Sequence, residues 1–154
     1  MSQKLHKKAQ LWLDVGGGGN PQEGCMVMDK RKLDGVDVIH DWHEIPWPFA
    51  DETFTRILLI HVVEHFFPWK TFDIFNELWR IMKPKGVVMI VTPYAGSVGF
   101  HQDPTHIHGW VEQTPLYFTP VHDLYKVYEP KPWKIEANSW NSTGTLEVVM
   151  RKLS

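Results

Sequence analysis

Apolar positions fall along this chain in short runs. Five of them, Leu11–Val15, Cys25–Met28, Val36–Ile39, Arg56–Val62 and Val87–Thr92, are rich in β-branched residues and do not alternate strictly with polar ones. Runs of this length suit strands of a parallel sheet covered on both faces. Between the fourth and fifth, Phe72, Phe75, Leu78, Trp79 and Met82 recur at helical spacing, while Asp73, Asn76, Glu77, Arg80 and Lys83 occupy much of the other side. This pattern predicts an amphipathic helix, preceded by Pro68 and stopped at Pro84-Lys-Gly86. Strand, helix and strand make one βαβ unit. Thr119 and Pro120 predict the cap and first position of a second helix that runs to Tyr128. Trp133–Trp140 and Thr145–Leu153, separated by Asn141-Ser-Thr-Gly144, read as two antiparallel strands.

The first half of the pattern is unusually tight. Nine residues, 16–24, separate the first two strands, and six or seven separate the second from the third. A parallel crossover with its helix takes at least about ten to twelve residues. The helices expected there are therefore absent or reduced to turns, and one face of that half of the sheet lacks its usual cover. An uncovered apolar face is an association surface, which points to a homodimer. The N-terminal segment or the Trp-rich loops are the other candidates for cover.

Composition narrows the picture modestly. The 154 residues are 43% hydrophobic and 22% charged, ordinary for one soluble domain, and the formal net charge is −2. That charge gives no broad drive toward nucleic acid or an anionic membrane; neither is expected as a partner. The basic cluster from Lys4 to Lys8 reads as a solvated tail. The one cysteine, Cys25, excludes an intramolecular disulfide. It suits a reducing compartment. No signal-peptide core or membrane-length run appears. The expectation is a cytoplasmic protein.

The chemistry begins at Leu11-Trp-Leu-Asp-Val-Gly-Gly-Gly-Gly-Asn-Pro21, followed by Cys25-Met-Val-Met-Asp29. A strand, a glycine turn and a second strand ending in a carboxylate make a nucleoside pocket at the carboxyl edge of a parallel sheet. A flexible hairpin turn is the bland alternative. A dinucleotide such as NAD, and with it an oxidoreductase, is the natural rival ligand. Its pyrophosphate, however, needs the amides of a helix start that has no room here. A nucleoside that carries a cation in place of a phosphate avoids that need, and the acids Asp14, Asp29 and Asp41 favour a cation.

Six motifs in order resemble those of class I S-adenosylmethionine-dependent methyltransferases. Leu13-Asp-Val-Gly-Gly-Gly-Gly-Asn20 is similar to the family's acid and G-x-G-x-G. Asp29 stands where the family binds both ribose hydroxyls, and Asp41 where it often faces the adenine amine. Ile45-Pro-Trp-Pro-Phe-Ala-Asp-Glu-Thr-Phe54 resembles the loop before strand four. Ile60-His-Val-Val-Glu-His65 resembles that strand's end, and Asn76-Glu-Leu-Trp-Arg-Ile-Met-Lys-Pro-Lys-Gly86 the helix exit. The resemblance covers residues 11 to 94. It is closest to a short subgroup with G-x-G-x-N-P and with D-P-T-H after strand five, here Asp103-Pro-Thr-His106. Asn20, Arg56 and Lys85 depart from the pattern.

The resemblance implies a three-layer Rossmann-like α/β fold: a mainly parallel seven-stranded sheet with an antiparallel last strand and a reduced helical layer, in a single domain over 1–154. It implies methyl transfer from S-adenosylmethionine to an unidentified acceptor, with a small molecule favoured. A non-catalytic nucleoside-binding module is the alternative. Cofactor contacts are expected from Asp14, Gly16, Gly17, Gly18, Asp29, Asp41 and His61. Residues 95–130 would form a lid over the acceptor. Within it, Asp103 would orient His106 as a base, and Tyr94, His108 and Trp110 would line the acceptor. Competing readings stay open. Asp14 can serve its own glycine turn, Asp29 can be a solvated loop acid, and His61 can pack under its loop. His106 can hold its loop shut, and the aromatics, Trp110 among them, can be core. His101, Asp103, His106 and His108 have ligand chemistry but match no tight zinc spacing; no metal is expected.

Overall fold

The computed structural model describes residues 12–154; Leu11 and the Lys4–Lys8 tail lie outside them. Seven strands form one sheet in the order β3-β2-β1-β4-β5-β7-β6. They are β1 Trp12–Val15, β2 Met26–Asp29, β3 Val38–Ile39, β4 Phe54–Ile60, β5 Met82–Pro93, β6 Trp133–Trp140 and β7 Thr145–Lys152. β1 to β5 pair in parallel, and β7 runs antiparallel between β5 and β6. This is the mainly parallel seven-stranded Rossmann-like sheet with one antiparallel strand. Chain order reverses between β1 and β4, so the crevice at their carboxyl ends is the natural ligand position in an open α/β sheet.

The helical layer is thin. Helix α1, Thr71–Ile81, lays Ile74, Phe75, Leu78 and Ile81 into the core with Leu13, Ile57, Leu59, Val88 and Ile90 of the sheet. Between β1 and β2 the backbone makes only turns, as the nine-residue spacing requires. α1 departs from the expected amphipathic pattern at one position. Glu77, placed on the polar face by periodicity, is 5% exposed.

The expected helix from Pro120 to Tyr128 is absent. Two single 3₁₀ turns, Thr114–Phe118 and Asp123–Val127, stand in that region. Thr119 is extended, and the second turn is capped by the His122 ring accepting from the Leu124 amide. None of the residues 123–127 is buried. A helix this short with no packed face cannot offset its nucleation cost.

The exit from α1 carries the Lys85 departure. Phe54 pairs with Met82 and Arg56 with Val87, so residues 83–86 loop out of the β4–β5 ladder. Lys85 takes φ +65°, a left-handed conformation that disfavours a side chain. Lys85→Gly should therefore raise unfolding stability by about 1 kcal/mol, read as a higher urea midpoint at unchanged slope.

Candidate cofactor cleft

A cleft of about 570 Å³ opens at the carboxyl ends of β1, β2 and β4, lined in part by Gly16, Asp29, Asp41, His61 and His65. Gly16 makes its floor. Its φ is +74°, and a Cβ there would come within 2.8 Å of Val62 Cγ2, so neither backbone nor space admits a side chain. Asp14, Gly17 and Gly18 brace the turn from beneath rather than lining the cleft. Asp14 accepts from the Gln22 amide at 2.8 Å, and a Cβ on Gly17 would overlap its carboxylate. Burial pushes the Asp14 carboxyl up, and neighbouring Asp29 adds to the rise. Asn20 closes the turn by donating to Gly17 O at 3.0 Å and is not among the positive-φ residues. The missing motif glycine thus costs no strain.

Asp29 ends β2 and is 1% exposed. Its Oδ1 accepts from the Arg31 amide (2.9 Å) and Nε (3.1 Å); Oδ2 accepts from the Gly18 amide (3.1 Å) and Arg31 Nη2 (3.2 Å). Burial alone would raise this carboxyl, but the Arg31 and backbone donors outweigh it and hold it below the usual range. A carboxylate has about four lone-pair sites, and all four are taken. The Arg31 side chain is 57% exposed, however, and can swing clear. Arg31 was not anticipated, although it stands two residues beyond Asp29. Lys30 also lines the cleft. Two cations thus balance Asp29 and Asp41, and the lining is not the acidic one expected from the sequence. The case against a diphosphate rests on the absent helix, not on charge.

Asp41 and His43 form the adjoining wall. Asp41 Oδ1 accepts from the His43 amide at 2.9 Å and lies 3.2 Å from His43 Nδ1. His43 Nε2 accepts from the Phe67 amide at 3.0 Å, so the neutral ring carries its proton on Nδ1, facing Asp41. The ring stacks on Phe67 at 3.9 Å. Burial pushes the imidazole pKa down; Asp41 opposes the shift, and Lys30 and Lys70 add to it. A histidine whose folded pKa lies below its unfolded value of about 6.5 gives stability that is present above that value and lost as pH falls toward the folded pKa. The urea midpoint should drop from pH 7 to pH 5, and His43→Gln should show a shallower drop. Equal slopes would contradict this.

The far end holds His61, Glu64 and His65, all from the segment that follows β4. His61 has φ +55°, and the Glu64 carboxylate beside it pushes its pKa up. Glu64 is fully buried; its Oε2 accepts from Thr92 Oγ1 at 3.1 Å. The Ile107 and His108 amides donate to Glu64 O, which pins the segment after β5 against this end. Thr105 and Ile107 from that segment line the cleft. His106 stands just behind: Nδ1 donates to Phe100 O at 2.9 Å, and Nε2 lies 3.5 Å from Asp103 Oδ2.

The three expected acceptor residues lie elsewhere. Tyr94 donates its hydroxyl to Glu112 at 2.7 Å. His108 meets Thr71 Oγ1 at 3.3 Å beside a separate 170 Å³ pocket with Phe72 and Tyr117. Trp110 is fully buried against Phe75 and Phe118. The part of residues 95–130 that reaches the cleft is the stretch around 103–107; Trp110 and Phe118 are core. His65, by contrast, was not singled out as a site residue, though it closes the same Ile60–His65 motif.

Residues 13–90 match the family model described as a methyltransferase domain, which is just over half of the chain. The chain belongs to the methyltransferase domain family. No curated protein matches it. Its fold is shared by an S-adenosylmethionine-dependent methyltransferase from Archaeoglobus fulgidus at 18% identity and a TM-score of 0.64, covering 98% of this chain and 90% of that one. A second, from Aquifex aeolicus, gives 15% and 0.62, covering 99% and 89%. The 1,6-didemethyltoxoflavin-N1-methyltransferase of Burkholderia thailandensis, solved with its substrate and S-adenosylhomocysteine, gives 14% and 0.65, covering 93% and 71%. The enzyme class is that of the methyltransferases. No helix among the described residues is long and apolar enough to cross a membrane.

Proposed function

We propose that the cleft binds S-adenosylmethionine and passes its methyl group to a small-molecule acceptor. The observation that carries this reading is the cleft's position at the β1/β4 switch point, floored by Gly16 and walled by Asp29 with no helix start behind the glycine turn. The residues fit such a ligand. Asp29 would hold the ribose hydroxyls once the Arg31 side chain leaves, Asp41 would face the adenine amine, and the turn at Gly16 admits backbone approach. The bound cofactor supplies a methyl group activated by a sulfonium.

The protein's own task is then alignment, because in-line displacement depends on holding nucleophile and methyl together. His61, His65 and Thr105 wall the acceptor end, and His106 takes the acceptor's proton at Nε2, with Asp103 beside that nitrogen. We place the protein in the cytoplasm, where the single buried thiol of Cys25 stays reduced. We also expect self-association through the thinly covered β1–β3 edge, where Trp12 and Ile39 remain exposed.

Two variants test this reading. Arg31→Ala should tighten S-adenosylhomocysteine binding about threefold, because it removes a half-exposed ion pair that competes for Asp29; weaker binding would mean that Arg31 contacts the ligand. His106→Ala should cut S-adenosylhomocysteine production from acceptor pools at least tenfold while sparing its affinity. Full turnover would return His106 to a loop-closing role.

A further inference from the structure

We infer that Glu64, His65 and His106 form a site for a divalent first-row transition-metal ion at the acceptor end of the cleft. A carboxylate oxygen of Glu64 and one ring nitrogen from each histidine lie within 4.8 Å of one another. The two rings meet edge to face, with centroids 4.9 Å apart.

Each histidine is already set for ligation. His65 Nδ1 donates to Thr105 O at 3.2 Å, and His106 Nδ1 donates to Phe100 O at 2.9 Å. Carbonyl oxygens only accept, and the Thr105 hydroxyl, 3.3 Å from His65 Nδ1, gives its own proton to Asp103 at 2.7 Å, so both rings carry their proton on Nδ1 and leave Nε2 as a lone pair. Metal-bound histidines are oriented in this way, by a carbonyl on the other nitrogen. The claim that Asp103 makes on His106 Nε2 is weak at 3.5 Å.

The carboxylate gives an independent reason. Glu64 Oε1 is buried and takes no hydrogen bond. His61 Nδ1 stands 3.4 Å away, an ion-pair separation on a half-exposed ring. A buried carboxylate oxygen without a hydrogen bond is costly, and a dication would repay that cost directly. Two imidazoles and one carboxylate are the donor set of zinc and ferrous sites that keep coordination positions open. Bonds of about 2.0–2.1 Å put ligand atoms roughly 3.4 Å apart in a tetrahedron, so small rotations of these side chains close the site.

The open position would face the cleft wall at His65 and take an oxygen donor of the acceptor, a hydroxyl or carboxylate. An ion held there would occupy His106 Nε2, so that in the metal-bound protein the ion, and not His106, would activate the acceptor oxygen; this assignment rests on the methyltransferase reading, and the metal site does not. Sequence spacing hides the site, because Glu64-His65 precedes His106 by some forty residues.

The test is titration of the full chain with Zn²⁺ and Co²⁺. We expect one equivalent bound at micromolar affinity or tighter, a rise in melting temperature with metal concentration, and a Co²⁺ visible spectrum of nitrogen–oxygen coordination. His65→Ala, at a half-buried position, and Glu64→Gln should each weaken binding at least 30-fold, while His101→Ala should leave it unchanged. No binding by the unaltered chain, or equal binding by all variants, would overturn the site. Should a variant misfold, the stoichiometry and Co²⁺ spectrum of the unaltered chain still decide. Titration of the same protein with S-adenosylhomocysteine reads the cofactor assignment separately, so the two can fail independently.

Discussion

Asp29→Ala should lower affinity for S-adenosylhomocysteine at least 100-fold. Hydrogen bonds from two ribose hydroxyls to a charged carboxylate are worth about 1.5–3 kcal/mol each, and about 1.4 kcal/mol is a factor of ten. The loss is set by position: the carboxylate is buried at the end of β2, below the wall that Asp41 and His43 make. Removing it also strands the Gly18 amide and releases Arg31, so folding is checked by circular dichroism alongside calorimetry. Asp29→Asn, which keeps the shape and loses the charge, should fall between. Unchanged affinity in a folded Asp29→Ala would remove this residue from the ribose site and leave the cleft without its polar anchor.

Glu77→Ala should cost about 3 kcal/mol of unfolding stability, a drop of roughly 10 °C in melting temperature for a chain of this size. Glu77 Oε1 accepts from the buried Trp47 amide at 2.7 Å, and both oxygens take Arg80. Arg80 in turn donates to Phe49 O, Asp51 and Trp47 O. This pair ties α1 to the loop that leads into β4 and keeps the Arg80 guanidinium firmly charged. Truncation leaves the buried Trp47 amide without its acceptor and takes the bidentate carboxylate partner from Arg80, which keeps Asp51 and the loop carbonyls. Glu77→Gln retains an acceptor for Trp47 and should lose less. None of these residues lines the cofactor cleft, so S-adenosylhomocysteine affinity below the melting range should change little. A loss under 1 kcal/mol would mean that the loop is held by Trp47 packing alone.

How far the chain could be read from its sequence follows from the range of the forces involved. β1, β2 and β4 were legible because they are short runs with buried apolar positions, and Trp133–Trp140 matches its expected bounds although it is mostly exposed. The missing crossover helices were legible because nine residues cannot hold one. Glu77 was misplaced because periodicity sees one helix, whereas its burial depends on Trp47 thirty residues away. The Pro120 helix was overread because its capping signals were local and none of residues 123–127 is buried. At the cleft, the sequence supplied Gly16, Asp29, Asp41 and His61. It did not show that Arg31 occupies the Asp29 carboxylate, that Trp110 is core, or that Glu64, His65 and His106 converge. Those facts depend on how the segment after β5 docks on the end of β4, through the Ile107 and His108 amides, and side-chain spacing carries no trace of main-chain bonds.

The most direct test of the central claim is calorimetric titration of the unaltered chain with S-adenosylmethionine, S-adenosylhomocysteine and NAD in parallel. One equivalent of each adenosyl ligand bound, with no heat from NAD, is the expected result. Binding of NAD alone would contradict it, because a diphosphate would then be held by a glycine turn with no helix start behind it.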